Sequence, residues 1–382
     1  MKHMKLIVPF VGLFLFTQAA QAQWEPAARL TWNSGASNAP RVAVDSSGGV
    51  HLVWYDDTPG NNEIYYKTSA DGGGVWGANR RLTFNSGSSL SPDIAADSAD
   101  RLHVVWTDNT YTGFDIYYKR STDGGASWSA KKRLSFDSDP SWTPAVAAGP
   151  SNNIHVVWTD YAPGNYEVYY KKSADGGATW SASQRLTWTA GDNQSPSLAV
   201  APSGHIYAAW CDMTPGNFEV YYKKSTDQGV TWSASKRLTW NSGESPSASI
   251  LADGSGNLHV VWSDGTPGNS EIFYKKSTNG GASWSPSLRL TSNSGQSLSP
   301  SICSDANAYL HLVWHDLSPG NAEIYYRKST NGGTTWTAAQ RLSWNSGDSR
   351  SANVAAFGSD NYHVVWADDT PGAYEIFYRR QK

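Results

Sequence analysis

The sequence predicts an all-β fold: a seven-bladed β-propeller of four-stranded blades, its ring closed by the N-terminal strand in blade seven. The first observation behind this is a unit of 52 residues that recurs seven times without insertions. Trp54, Trp106, Trp158, Trp210, Trp262, Trp314 and Trp366 keep that spacing, as do Arg29, Arg81, Arg133, Arg185, Arg237, Arg289 and Arg341. The second is that each unit reads as four short strands between turn residues, with no sustained period of 3.6 anywhere. The third is the fit of the two ends. The last copy stops after its third strand, and the chain opens with a fourth: Trp24 precedes Arg29 by five residues, as Trp76 precedes Arg81. Adding that strand to blade seven removes both free sheet edges.

Taken in chain order, residues 1–22 read as a secretory signal peptide. Lys2 and Lys5 form a positive start, residues 6–16 an apolar run, and Ala20-Gln21-Ala22 a small-x-small cleavage site. The run is too short to span a bilayer. Residues 23–382 are then one exported domain, secreted or periplasmic. In its first unit the strands are expected over 41–45, 51–55, 63–67 and 80–84. The composition agrees, with 19 Trp, 20 Tyr and 35 Gly against only three Met, which favours pleated strands and tight turns.

Between strands three and four, six units carry S-x-D/N-x-G-x-x-W, at 69–76, 121–128, 173–180, 225–232, 277–284 and 329–336. This is a hairpin turn. Asp71, Asp123, Asp175, Asp227, Asn279 and Asn331 accept backbone N–H bonds, glycine takes φ > 0, and the tryptophan packs back onto the blade. Six copies in register resemble the Asp boxes (BNR repeats) of the sialidase-like propeller superfamily, over essentially the whole mature chain. The resemblance implies that the boxes are structural and that the ligand side is the opposite face, made by the links between blades and the loops joining strands two and three.

Charge and cysteines narrow the partners. Removing Lys2 and Lys5 with the leader leaves 28 basic against 33 acidic side chains. That balance argues against nucleic acid and anionic membrane, and no later apolar stretch inserts in a membrane. Cys211 and Cys303 fall at different repeat positions and are read as two thiols rather than a bridge. His315 and Cys211, each next to a core Trp, give no base–nucleophile pair and no metal-ligand spacing. Neither a metal nor a cofactor is expected, and the chain is expected to be a monomer.

An Asp follows each core Trp by two places, from Asp56 to Asp368. Each is read as tying down its own loop. Glu63 and its equivalents are left as solvated strand ends or partners of a nearby Lys or Arg. The resemblance to sialidases implies three arginines converging on a substrate carboxylate, a Tyr/Glu nucleophile pair and an acid Asp. Here most ligand-side loops are copies of one another. The F/Y-R-I-P motif is absent, and its nearest counterpart is Pro40-Arg41-Val42. Arg41 and Arg350 are the candidate carboxylate-binding arginines, and no third is evident. The other departures from symmetry cluster in blades two and three: Tyr111, Phe114, Asp137, Asp139, Trp142, Tyr161 and Tyr166. Aromatics beside carboxylates suit sugar rings, so these are the ligand-binding candidates.

Three functions compete on this reading. The leading one is a non-catalytic, multivalent binding module for glycans or glycoproteins. The alternative is an exo-α-sialidase or related glycoside hydrolase with a divergent site, and the third a structural or protein-docking propeller.

Overall fold

The computed structural model describes residues 24–110, 113–136, 139–359 and 361–382; the expected leader lies outside them. Seven four-stranded antiparallel sheets form the chain. Blade one pairs Ser37–Val44, Val50–Asp56, Glu63–Ser69 and Arg80–Arg81 in chain order. Blade seven pairs Ser349–Phe357, Asn361–Asp368 and Glu375–Gln381, and its outer strand is Ala28–Arg29 from the other end of the chain. Ala28 lies opposite Tyr378 and Arg29 opposite Phe377, while Trp24 bridges Gln381. The closure is reinforced by Glu25, whose side chain pairs with Arg380 at 2.7 Å. The ring therefore closes through the N-terminal strand, as the two ends predict.

The second and third strands run one or two residues beyond expectation, and the first and fourth differ more, each with a local cause. The first strand begins at Ser37 instead of residue 41, because a bulge between Asn38 and Arg41 carries the chain toward the hub. Ala39 turns there with φ 48°, and Pro40, lacking an N–H, cannot continue the ladder. Ser91, Thr143, Ser195, Ser247, Ser299 and Ser351 adopt the same left-handed backbone, with φ 50, 48, 51, 59, 52 and 56°. The fourth strand is only Arg80–Arg81. Beyond it the Thr83 hydroxyl, not a main-chain carbonyl, takes the Ile64 N–H at 2.8 Å, so the regular ladder ends.

The core sits in the seams between blades. Second strands are buried along their length, and the core tryptophans are at most 1% exposed. Trp54 packs with Val42 and Leu52 and, from blade seven, Leu30, Val365, Ile376 and Tyr378. Burying each aliphatic side chain here stabilises by roughly 1.5–3 kcal/mol. Polar ties cross the same seams: Lys67 Nζ donates to Leu30 O at 2.8 Å, and Lys119, Lys171, Lys223 and Lys275 repeat the link.

The Asp boxes are turns. Asp71 Oδ1 accepts from Gly74 N and Val75 N at 2.8 Å, and Gly73 N donates to Ser69 Oγ at 2.8 Å. Backbone donation from Val75 and the Ser69 hydroxyl hold the Asp71 carboxyl down to about 2. Gly73 must be glycine: its φ is +88°, and a Cβ would stand 1.8 Å from Tyr378 Oη. The box tryptophans pack onto their own blade and also across the seam onto the preceding one. Trp76 lies against the cluster of Val50, Leu52 and Trp54 and meets Tyr378 edge-on at 4.9 Å, and Trp128 lies against that of Leu102, Val104 and Trp106 and meets Tyr66 at 5.1 Å. Trp24 fills that role for blade seven, meeting Tyr326 at 5.0 Å.

Candidate binding face

The two faces carry different chemistry. On the Asp-box face, His51 lies between Asp45 Oδ2 at 2.9 Å and Tyr66 Oη at 2.7 Å. His103, His259 and His311 repeat the arrangement. Such a chain has the parts of acid–base machinery, but the four rings are at most 2% exposed. Burial pushes His51 and His103 below their ordinary range, and Tyr66 is pushed up to about 12. These groups latch strands together.

On the opposite face the repeated carboxylates are occupied. Asp56, Asp108, Asp160, Asp212, Asp264, Asp316 and Asp368 each accept from the backbone N–H two residues on, at 2.7–3.0 Å. Asp56 also takes the Ser37 hydroxyl at 2.6 Å and the Asn33 amide at 2.5 Å, which pins the inter-blade link. Glu63 is fully buried and pairs with Arg81 at 2.6 Å; Arg29–Glu375, Arg133–Asp115, Arg185–Glu167, Arg237–Glu219, Arg289–Glu271 and Arg341–Glu323 repeat the pair. Of the two sequence readings of these acids, partnership with a basic side chain is the one realised. Among the described residues no group of three His, Cys, Asp or Glu side chains could hold a metal ion.

The two candidate arginines sit apart in chemistry. Arg41 lines the central channel, a space of about 360 Å³ walled by the left-handed turns at the start of all seven first strands. Its charge acts on Asp93, which burial raises to about 6 against the pull of Arg41 and the Val146 N–H. Asp93 Oδ2 accepts from Val146 N at 2.8 Å, as Asn353 Oδ1 accepts from Val42 N at 2.9 Å. Arg350 stands by the neighbouring link and pairs with Asp348 at 2.6 Å. Burial and the Arg350 charge take nearby His315 down to about 4.

Of the blade-two and blade-three candidates, Tyr111 and Asp137 lie outside the described residues. The fold brings Phe114 and Trp142 together with ring centroids 4.0 Å apart, and Tyr161 and Tyr166 edge-on at 5.0 Å. Trp142 and Tyr166 line one pocket of about 250 Å³, with Thr159 and Gln194. Asp139 is half-buried in the link into blade three.

A second set of aromatics escaped the sequence reading. Trp32, Phe84, Phe136, Trp188, Trp240 and Trp344 are 61–74% exposed, each three residues past the repeated arginine. Their period-52 spacing was the available signal, but strict repetition reads as structure, and exposure is not written in it. The surrounding loops carry Asp57, Asp139, Asp192, Glu244, Asp348 and Asp369 and no lysine or arginine.

Residues 100–292 match a family model described as a BNR repeat-like domain. No curated protein sequence matches the chain. A protein of unknown function from Dyadobacter fermentans aligns over 94% of this chain and 99% of its own, with a TM-score of 0.62 at 14% identity. A Hadza microbial sialidase aligns over 90% of this chain but 65% of its own, with a TM-score of 0.57 at 14% identity. An ulvan lyase aligns over 92% and 95%, with a TM-score of 0.64 at 10% identity. At such identities the likeness is one of fold.

Proposed function

The chain belongs to the BNR repeat-like family, and from that premise we propose that it is a non-catalytic, multivalent glycan-binding propeller. The observation that carries this reading is the uniform engagement of the ligand-side carboxylates. All seven Asp of the second strands hold their own loops. The acids of the third strands are buried against arginines. A glycosidase needs its carboxyl pair, or in the sialidase type a tyrosine with its glutamate and an acid, placed asymmetrically about one scissile bond. A face of near-identical loops instead offers the same weak contact many times, and avidity can multiply weak contacts by about 10²–10⁴. Glycan-processing proteins among the structural neighbours are consistent with a sugar as partner. The leader over residues 1–22 would put the mature chain, as a monomer, outside the cytoplasm, where polysaccharides are met.

Arg41 and Arg350 keep a sialidase as the competing reading, since both stand on the hub and links of the ligand side. The test is a fluorogenic α-sialoside and an α-L-arabinofuranoside incubated at pH 4 to 8, beside a glycan array. Binding on the array without turnover is expected. Turnover that disappears in both Arg41→Ala and Arg350→Ala would replace the module with an enzyme.

A further inference from the structure

We infer that the rim rings Trp32, Phe84, Phe136, Trp188, Trp240 and Trp344 are the sugar contacts, each stacking on the apolar face of a pyranose in a neutral polysaccharide. This rests on the glycan-binding reading above and gives it a place and a ligand class.

Exposure is the first support. Six large rings at one repeat position leave 61–74% of their surface in water, an arrangement that apolar burial alone disfavours. Orientation is the second. Each ring has a basic group near its face: Arg185 Cζ is 5.6 Å and Lys223 Nζ 5.4 Å from the Trp188 centroid, and Arg237 and Lys275 stand 5.8 and 5.6 Å from Trp240. The two cations come from adjacent blades and are anchored themselves, Arg185 on Glu167 and Lys223 on Leu186 O. The rings are thus held ready across a seam, which lowers the ordering cost of binding.

Blade five supplies a built-in control, because Ser292 stands where the others have a ring. Its Arg289–Glu271 pair keeps a length of 2.8 Å, although Arg289 is 36% exposed against 24–29% for its equivalents. The ring shades the arginine but is not needed for the ion pair or the blade. The frame of the blade thus stands without the ring, which leaves the ring's outer surface available to a ligand in the other six blades.

The surroundings select the ligand. Short, mostly polar links, N-S-G after four of the six rings, separate them, so they form no contiguous apolar patch of the kind a protein partner covers. Nucleic-acid bases also stack on aromatics, but the arginines beside the rings are already paired with acids and the lysines with backbone carbonyls, so phosphates would meet loops whose own charges are acidic. The same loops repel uronate and sulfate chains. A neutral pyranose carries an apolar face for the ring and hydroxyls for exposed link residues such as Ser34 and Ser86.

The experiment is affinity electrophoresis of the full mature chain in gels containing xylan, galactomannan, mixed-linkage β-glucan or polygalacturonate. The variants are Trp188→Ser, the fourfold change of Trp32, Trp188, Trp240 and Trp344 to Ser, and Ser292→Trp. Because serine is already accommodated in blade five, thermal melts of the loss variants should match the parent. At least one neutral polymer should retard the parent, and polygalacturonate should not. Trp188→Ser should weaken retardation by about two- to tenfold, the fourfold variant should run freely, and Ser292→Trp should strengthen it. An unchanged fourfold variant would overturn the rim assignment while glycan binding stands. Retardation by polygalacturonate alone would overturn the neutral class. A parent that binds no polymer would overturn both readings. Ser292→Trp adds a ring, so a gain of zero there counts against the rim even if the fourfold variant misfolds.

Discussion

Replacing Asp93 with Asn should stabilise the protein in a pH-dependent way. Asp93 stands at the hub, where burial raises its carboxyl from 3.8 to about 6 despite Arg41 and the Val146 N–H. The folded state therefore holds this proton more tightly than the unfolded chain. The ionised carboxylate costs no stability below about pH 4, and the penalty grows as pH rises to about 6, then stays. At about 1.4 kcal/mol per pH unit, the ceiling is about 3 kcal/mol. Asp93 borders the channel, whose water screens its charge, so about 1–2 kcal/mol is expected at pH 7. Asparagine has a precedent at this repeat position. Asn353 accepts from Val42 N at 2.9 Å, as Asp93 accepts from Val146 N at 2.8 Å. Paired denaturant titrations of parent and Asp93→Asn at pH 4, 5, 6, 7 and 8 would read the difference. A gain that is absent at pH 4 and levels off above pH 6 is expected. A variant less stable than the parent at pH 7 would mean that attraction to Arg41 outweighs burial, and a gain equal at every pH would mean that ionisation is not its source.

Other perturbations test the frame. Deleting residues 23–32 removes the outer strand of blade seven and Trp24, so the protein should aggregate or melt far below the parent; a monomer of parental Tm would refute ring closure. Trp128→Ala opens a space against Tyr66 and should cost about 3 kcal/mol, near the low end for tryptophan because the ring is partly exposed. Its glycan binding should be unchanged once folding is matched, since the Asp boxes lie on the other face. Arg81→Ala leaves the buried Glu63 without its cation and should cost about 2–4 kcal/mol in urea titrations. Asp123→Asn should leave Tm nearly unchanged, since Asn279 makes the same turn bond to Ser283 N at 2.9 Å, whereas Asp123→Ala should lower it.

Much of the fold was legible because its determinants are local and repeated. The spacing of Trp54 and its equivalents, the S-x-D/N-x-G-x-x-W turns and the complementary ends are all periodic signals, and they fix strand count, blade count and closure. The bulge at Ala39 was not legible. A left-handed residue before a proline runs against local preference, and it is held by ring geometry that only the assembled hub imposes. The face is less legible than the fold. Departures from symmetry mark Phe114, Trp142 and Tyr166, of which Phe114 touches Trp142 across the blades and Trp142 shares a pocket with Tyr166. Trp32 and its equivalents carry no such mark. Periodicity says that a residue serves every blade alike, and it does not say whether the side chain faces a seam or the solvent.

The central claim is that this face binds sugar at several equivalent positions rather than at one catalytic centre. Native mass spectrometry of the mature chain, titrated with a hexasaccharide cut from whichever polymer retards it, counts those positions. The account predicts successive adducts approaching six per chain, falling stepwise as rim tryptophans are changed to serine. Saturation at a single adduct, indifferent to the rim variants and abolished by Arg41→Ala, would contradict it.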